Sequence, residues 1–173
     1  MVRSLALAAA LACAAPLVEA KSDILPAPGT TFSPYGMVEG WSIFVNEDRQ
    51  TCMIERVDAA ENVVQMGLTV DRGFGYLGVF TKQETALKDG EETVAVLIGE
   101  NLYVGTGRTV ISGLPDGYAG GYIISDDPQF LADIMQQYEM VVLPTTEYAF
   151  AVDLTGTMKA IEAAQACNAA QTG

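Results

Sequence analysis

The sequence predicts an α+β domain: mainly an antiparallel β sandwich or barrel, with one internal and one C-terminal helix. Three observations carry this. Short apolar-rich runs with period-2 alternation follow one another between Gly, Asp and Pro turns, as closely spaced antiparallel strands require. Two stretches, after Asp126 and after Thr155, switch to helical spacing. Beyond the first twenty residues only two cysteines occur, one on a strand and one on the last helix.

Taken in order, residues 21–36 hold Pro26, Pro28, Gly29 and Pro34 among Ser and Thr, which reads as an extended linker before a single β-rich domain over 37–173. Met37–Val45 places Trp41, Ile43 and Val45 on one face, and Asn46–Arg49 supplies a turn. Gln50–Val57 returns with Cys52 and Ile54 aligned. Val63–Val70, Gly75–Thr81, Thr93–Ile98, Leu102–Val104, Arg108–Ser112 and Tyr118–Ile124 continue the series. Asp126 or Asp127 can cap a helix with Pro128 in its first turn, and Phe130, Leu131, Ile134, Met135 and Tyr138 form its apolar stripe. Two more strands are expected at Glu139–Leu143 and Glu147–Asp153. Thr155 is the N-cap candidate for the last helix, where Ala160, Ile161, Ala164 and Cys167 share a face.

The first twenty residues are a different kind of segment. Arg3 gives a positive start, Leu5–Ala15 is apolar, and Val18-Glu19-Ala20 offers a small residue three before and one before a cut ahead of Lys21. That order is a secretory signal peptide, and the expectation is an exported protein, periplasmic or secreted after cleavage following Ala20. The apolar stretch is too short to span a bilayer, and no other run approaches the roughly 20 residues required, so the mature chain is expected to be soluble. Cys13 admits a lipidated alternative, although Ala10 stands where a lipobox normally has Leu.

Charge and composition exclude several functions. The 173 residues carry 9 Lys+Arg against 22 Asp+Glu, a net charge of -13 that loss of Arg3 and Glu19 with the leader would not change. Such a surface repels phosphate backbones, so no nucleic-acid partner is expected. There is no histidine, which removes Ser-His-Asp and Cys-His catalysis and His-ligated zinc together. No catalytic, metal or cofactor site is assigned. Cys52 and Cys167 have no CxxC partner; in an oxidising compartment an even count favours a Cys52–Cys167 disulfide, the alternative being two buried thiols. Closing so long a loop would restrict the unfolded chain by roughly 4–5 kcal/mol.

Gly73–Gly78 matches GxGxxG, but Gly75–Thr81 reads as a strand, so the helix N-terminus that holds a pyrophosphate is missing and strand packing explains the glycines better. Adjacent acids occur at Glu47-Asp48, Glu91-Glu92 and Asp126-Asp127; hydrolytic chemistry needs two carboxyls facing across a cleft, and neighbours in sequence usually diverge. The remaining candidates form a ligand surface: Arg72, Phe74, Tyr76, Arg108, Tyr118 and Tyr122, aromatics among glycines beside two of the few cations. Core packing competes for about half of these rings, and pairing with nearby acids competes for Arg72 and Arg108.

Trp41 followed eleven residues later by Cys52, and Leu154-Thr155-Gly156 leading through Ala160 to Cys167, resembles small exported proteobacterial proteins of the invasion-associated locus B type. The resemblance covers roughly residues 38–57 and 147–169. It implies an exported, envelope-associated protein, linked in some pathogens to host-cell entry, and it implies no catalytic residues. The expected function is a non-enzymatic envelope or secreted domain binding a protein or small ligand; the alternative is a carboxylate-dependent hydrolase acting on an envelope polymer.

Overall fold

The computed structural model describes residues 29–69, 73, 75–115, 117–143 and 145–171. The leader, the cleavage site after Ala20 and Cys13 lie outside the described residues. Ten strands form one continuous sheet, antiparallel at every pairing: β1 (Phe32–Val38), β2 (Trp41–Asn46), β3 (Thr51–Val57), β4 (Val63–Leu68), β5 (Gly75–Thr81), β6 (Gly90–Ile98), β7 (Asn101–Val110), β8 (Ala119–Ser125), β9 (Glu139–Val142) and β10 (Phe150–Asp153). Helix α1 (Pro128–Gln136) is internal and α2 (Thr157–Ala170) is C-terminal. The mainly antiparallel α+β class is therefore the observed one. Across the sheet the order is β1-β2-β3-β4-β5-β8-β7-β6-β9-β10, so the first five strands meander and the next three return in reverse.

The sheet curls, because strands from both its ends fill one core. Trp41, Ile43 and Val45 of β2 meet Cys52 and Ile54 of β3, Val96 and Ile98 of β6, Met140 of β9, and Phe150 and Val152 of β10 in a single buried cluster. Polar contacts close the same gap: Asn62, after β3, donates from Nδ2 to the Ala151 carbonyl of β10 at 3.2 Å, and Arg56 of β3 pairs with Asp153 at 2.6 Å. Burial raises the Asp153 carboxyl, but hydrogen bonds from Thr155 and the Arg56 guanidinium outweigh that and hold it below its usual value. Helix α2 lies on β1, β2 and β3, with Ala160, Ile161, Ala164 and Cys167 buried as its spacing predicts. Cys167 is disulfide-bonded to Cys52, their Cα atoms 6.0 Å apart, and Asn168 next to it accepts a 2.9 Å hydrogen bond from the Cys52 backbone. Among the described residues, no helix is long and apolar enough to cross a membrane.

Three expectations need correction. The extended linker assigned to 21–36 is too long, since Phe32–Val38 is an edge strand paired with β2. It lacks clear alternation because much of its surface is exposed; an edge tolerates Pro34, and a bulge falls between Pro34 and Gly36. Leu102–Val104 and the first part of Arg108–Ser112 belong to one ten-residue β7, Asn101–Val110, because Gly105 and Gly107 continue the strand rather than interrupt it; Ile111 and Ser112 lie beyond its end. The cap of α2 is Gly156 at φ +82°, not Thr155, whose carbonyl instead accepts hydrogen bonds from Trp41 Nε1 (2.9 Å) and Arg56. The cap of α1 is as expected: Asp127 accepts from the Gln129 N–H at 2.8 Å, with Pro128 following.

Candidate functional site

Strand register brings most of the sequence-predicted surface residues onto the outer face of β5, β7 and β8. Tyr122 stands opposite Gly78 of β5 on one side and Arg108 of β7 on the other, while Tyr76 stands opposite Gly67 of β4. Tyr76 and Tyr122 meet edge to face with centroids 5.8 Å apart, and Tyr122 meets Phe80 in the same way at 5.2 Å. Tyr118 packs beside Phe80 and Tyr122, its ring beneath the Lys82 ammonium at 5.1 Å. Arg108 is exposed and makes no ion pair among the described residues, so its expected pairing with a neighbouring acid is not found. Arg72 and Phe74 lie outside the described residues.

This face is already filled by its own side chains. A Cβ added at Gly67 would sit 2.6 Å from the Tyr76 hydroxyl, and one at Gly78 would sit 2.6 Å from the Tyr122 ring. Each glycine leaves a slot that a neighbouring strand's tyrosine occupies, which is why the two rings are half-buried rather than displayed. Beneath them runs a polar chain in which Tyr122 donates to Gln65 Oε1 at 3.1 Å and Gln65 Nε2 donates to Glu55 at 2.7 Å. Burial raises the Glu55 carboxyl above its usual range, with the Gln65 hydrogen bond working against it. Burial likewise pushes the Tyr76 hydroxyl up to about 12, and raises Tyr122 further still. The phenols therefore stay protonated at physiological pH. The GxGxxG glycines Gly75 and Gly78 are strand residues of β5, without a helix to orient a phosphate.

A space left unfilled lies on the opposite, inner side of the same strands. Between β3–β5 and the two helices is a pocket of about 330 Å³. Its walls are apolar: Ile54, Met66 and Leu77 from the sheet, Phe130 and Ile134 from α1, Ile161 from α2. Cys52 of the disulfide and Ala164 of α2 also line it. Its polar groups gather where β8 runs into α1 and along the outer part of α2: Ser125, Asp126, Asp127, Gln165 and Asn168. Several of these are committed. Asp127 caps α1, its backbone N–H donates to Ser125 Oγ at 3.1 Å, and Asn168 bonds the Cys52 N–H and the Ala164 carbonyl. Asp126 is exposed and has no hydrogen-bond or ion-pair partner among the described residues.

Sequence reasoning missed this pocket. It grouped Phe130, Leu131, Ile134, Met135 and Tyr138 as one apolar stripe, of which Leu131 is 43% exposed at the pocket and Tyr138, past the helix end, is 75% exposed. The available signal was the width of that stripe, one more apolar side chain than a short helix can bury against a sheet. Three more of the acids singled out in sequence make hydrogen bonds, while Glu91 is exposed. Asp48 accepts from the Thr31 N–H at 2.9 Å, Glu47 accepts from Ser33, and Glu92 accepts from the Lys88 N–H at 3.2 Å. Asp133 of α1, not singled out, is buried, and it accepts from Tyr103 (2.6 Å), Asn101 (2.7 Å) and Gln129 (2.7 Å), which hold its carboxyl below the usual range and fasten α1 to β7. Among the described residues no three potential ligands converge to hold a metal. No protein-family model matches this chain, and neither does any curated protein or solved structure.

Proposed function

We propose that this protein is an exported, non-enzymatic envelope or secreted domain that binds a small, largely apolar ligand between the sheet and its two helices. The observation that carries the reading is the 330 Å³ pocket with apolar walls, whose polar groups lie at the β8–α1 junction and along α2. Ligand sites have this character, with volumes of about 300–1,000 Å³ and few polar groups to orient the ligand. A cavity that size is also more than twice the ~150 Å³ that stays dry in an engineered core and accepts benzene. Export is supported by the signal-like first twenty residues and by a disulfide that an oxidising compartment would maintain. The resemblance to exported proteins of the invasion-associated locus B type points to the same compartment. The hydrolase alternative gains nothing from the pocket: its two acids are consecutive, and one of them is occupied in capping α1.

Titration with a neutral naphthylamine dye tests the reading. One saturable site per chain is expected, and Ala164→Phe, which puts a ring into the pocket, should abolish it while the protein still melts cooperatively. Absence of saturable binding, or binding indifferent to Ala164→Phe, would overturn the proposal.

A further inference from the structure

The charge around the pocket selects among apolar ligands. Of its described lining residues two are carboxylates, Asp126 and Asp127, and none is Lys or Arg. The N-terminus of α1 opposes them with its positive end, but a helix terminus is equivalent to only about half a unit charge, against two full negative charges. The cap uses Asp127 Oδ1, and nothing described engages the Asp126 carboxylate. Among its described residues the polar region therefore carries net negative charge, within a protein already at -13.

Resting on the pocket reading above, we propose that the ligand is a cationic amphiphile: an apolar body seated against Ile54, Leu77 and Ile134, with a protonated amine or guanidinium head at Asp126. A carboxylate or phosphate head would meet the same two aspartates as repulsion, so anionic lipids and fatty acids are disfavoured. A neutral alcohol of equal length gains the apolar contact alone.

Three probes with one chain length and different heads separate these cases: decylammonium and decanoate, each titrated below its micelle concentration, and decanol, titrated below its solubility limit. Decylammonium should bind about fivefold tighter than decanol, as a partly exposed ion pair allows, and decanoate more weakly than either. Asp126→Asn should bring decylammonium to the level of decanol and leave decanol unchanged; Glu91→Gln, which removes one charge on β6 away from the pocket, should preserve the selectivity. In 1 M salt the preference should shrink for the unsubstituted protein as well, a readout that needs no variant to fold. Equal binding of the three probes, all lost in Ala164→Phe, would overturn the head-group inference and leave the pocket standing. A preference that survives Asp126→Asn, or that falls equally with Glu91→Gln, would overturn it as diffuse attraction. Failure of decanol itself to bind would overturn the pocket reading, and this inference with it.

Discussion

The two sides of strands β4 and β5 treat empty space in opposite ways. On the outer side, Gly67 and Gly78 open slots in the sheet, and Tyr76 and Tyr122 from the adjoining strands fill them. On the inner side, Met66 and Leu77 face two helices that stand off far enough to leave about 330 Å³. Aromatics among glycines look like a binding surface in sequence, yet here the glycines exist to receive the aromatics. A space filled by the chain itself adds stability, whereas an apolar space left open is one that a ligand can use.

The largest expected effect comes from the inner side. Replacing both cysteines by serine should cost about 4–5 kcal/mol in urea denaturation, given the separation of 115 residues, and should weaken dye binding because Cys52 is part of the pocket wall. A cost below about 1 kcal/mol would mean that α2 is held by packing alone. Next, Gly78→Ala adds a methyl where the Tyr122 ring already sits, and should cost about 1–3 kcal/mol. Its coupling to Tyr122→Ala in a double-mutant cycle should exceed about 0.5 kcal/mol; strict additivity would show that the ring does not depend on the slot.

Enlargement on the inner side should do the reverse. Ala164→Leu grows into open space and should leave stability within about 1 kcal/mol of the parent or raise it. A loss as large as that of Gly78→Ala would show that the pocket closes in solution, and the contrast between the two sides would fail.

The smallest effect lies in the polar chain under the outer rings. Because the folded Glu55 has a raised carboxyl pKa, the folded state binds more protons than the unfolded one, so this residue lowers stability as pH rises from about 4.5 through its folded value. Glu55→Gln should remove that decline and slightly raise the melting midpoint at pH 7. Asp133 and Asp153 have the opposite sign: their lowered values add stability above about pH 4 that is lost as pH falls through the folded values. Melting curves from pH 3 to 8 read both limbs, and a Glu55→Gln profile that overlays the parent would remove Glu55 from the account.

Much of the fold was legible in the chain because each signal was local. Alternation placed Trp41, Ile43 and Val45 on the core face, Asp127-Pro128 opened α1, and helical spacing set Cys167 on the buried face of α2. The edge strand β1 was obscured because it buries too little to impose alternation, and β7 was split because its glycines were read as turns rather than as packing positions. The candidate site was the less legible part. Tyr76, Tyr118, Tyr122 and Arg108 do share a face, but no single strand reveals whether a ring covers its neighbour's glycine or faces solvent.

By itself the amino-acid order determined most element types, the strong negative charge and the exclusion of histidine chemistry, and it favoured a disulfide between the two cysteines without deciding it, since these depend on composition, parity and short-range period. Tertiary structure alone decided that the sheet curls to bring β10 against β3, that the tyrosines fill the glycine slots, and that a pocket of about 330 Å³ is left between β3–β5 and the helices. The physical reason is that volume and contact are properties of side chains distant in sequence: a residue's pattern tells which way it points, and only the assembled neighbours tell how much room is left there.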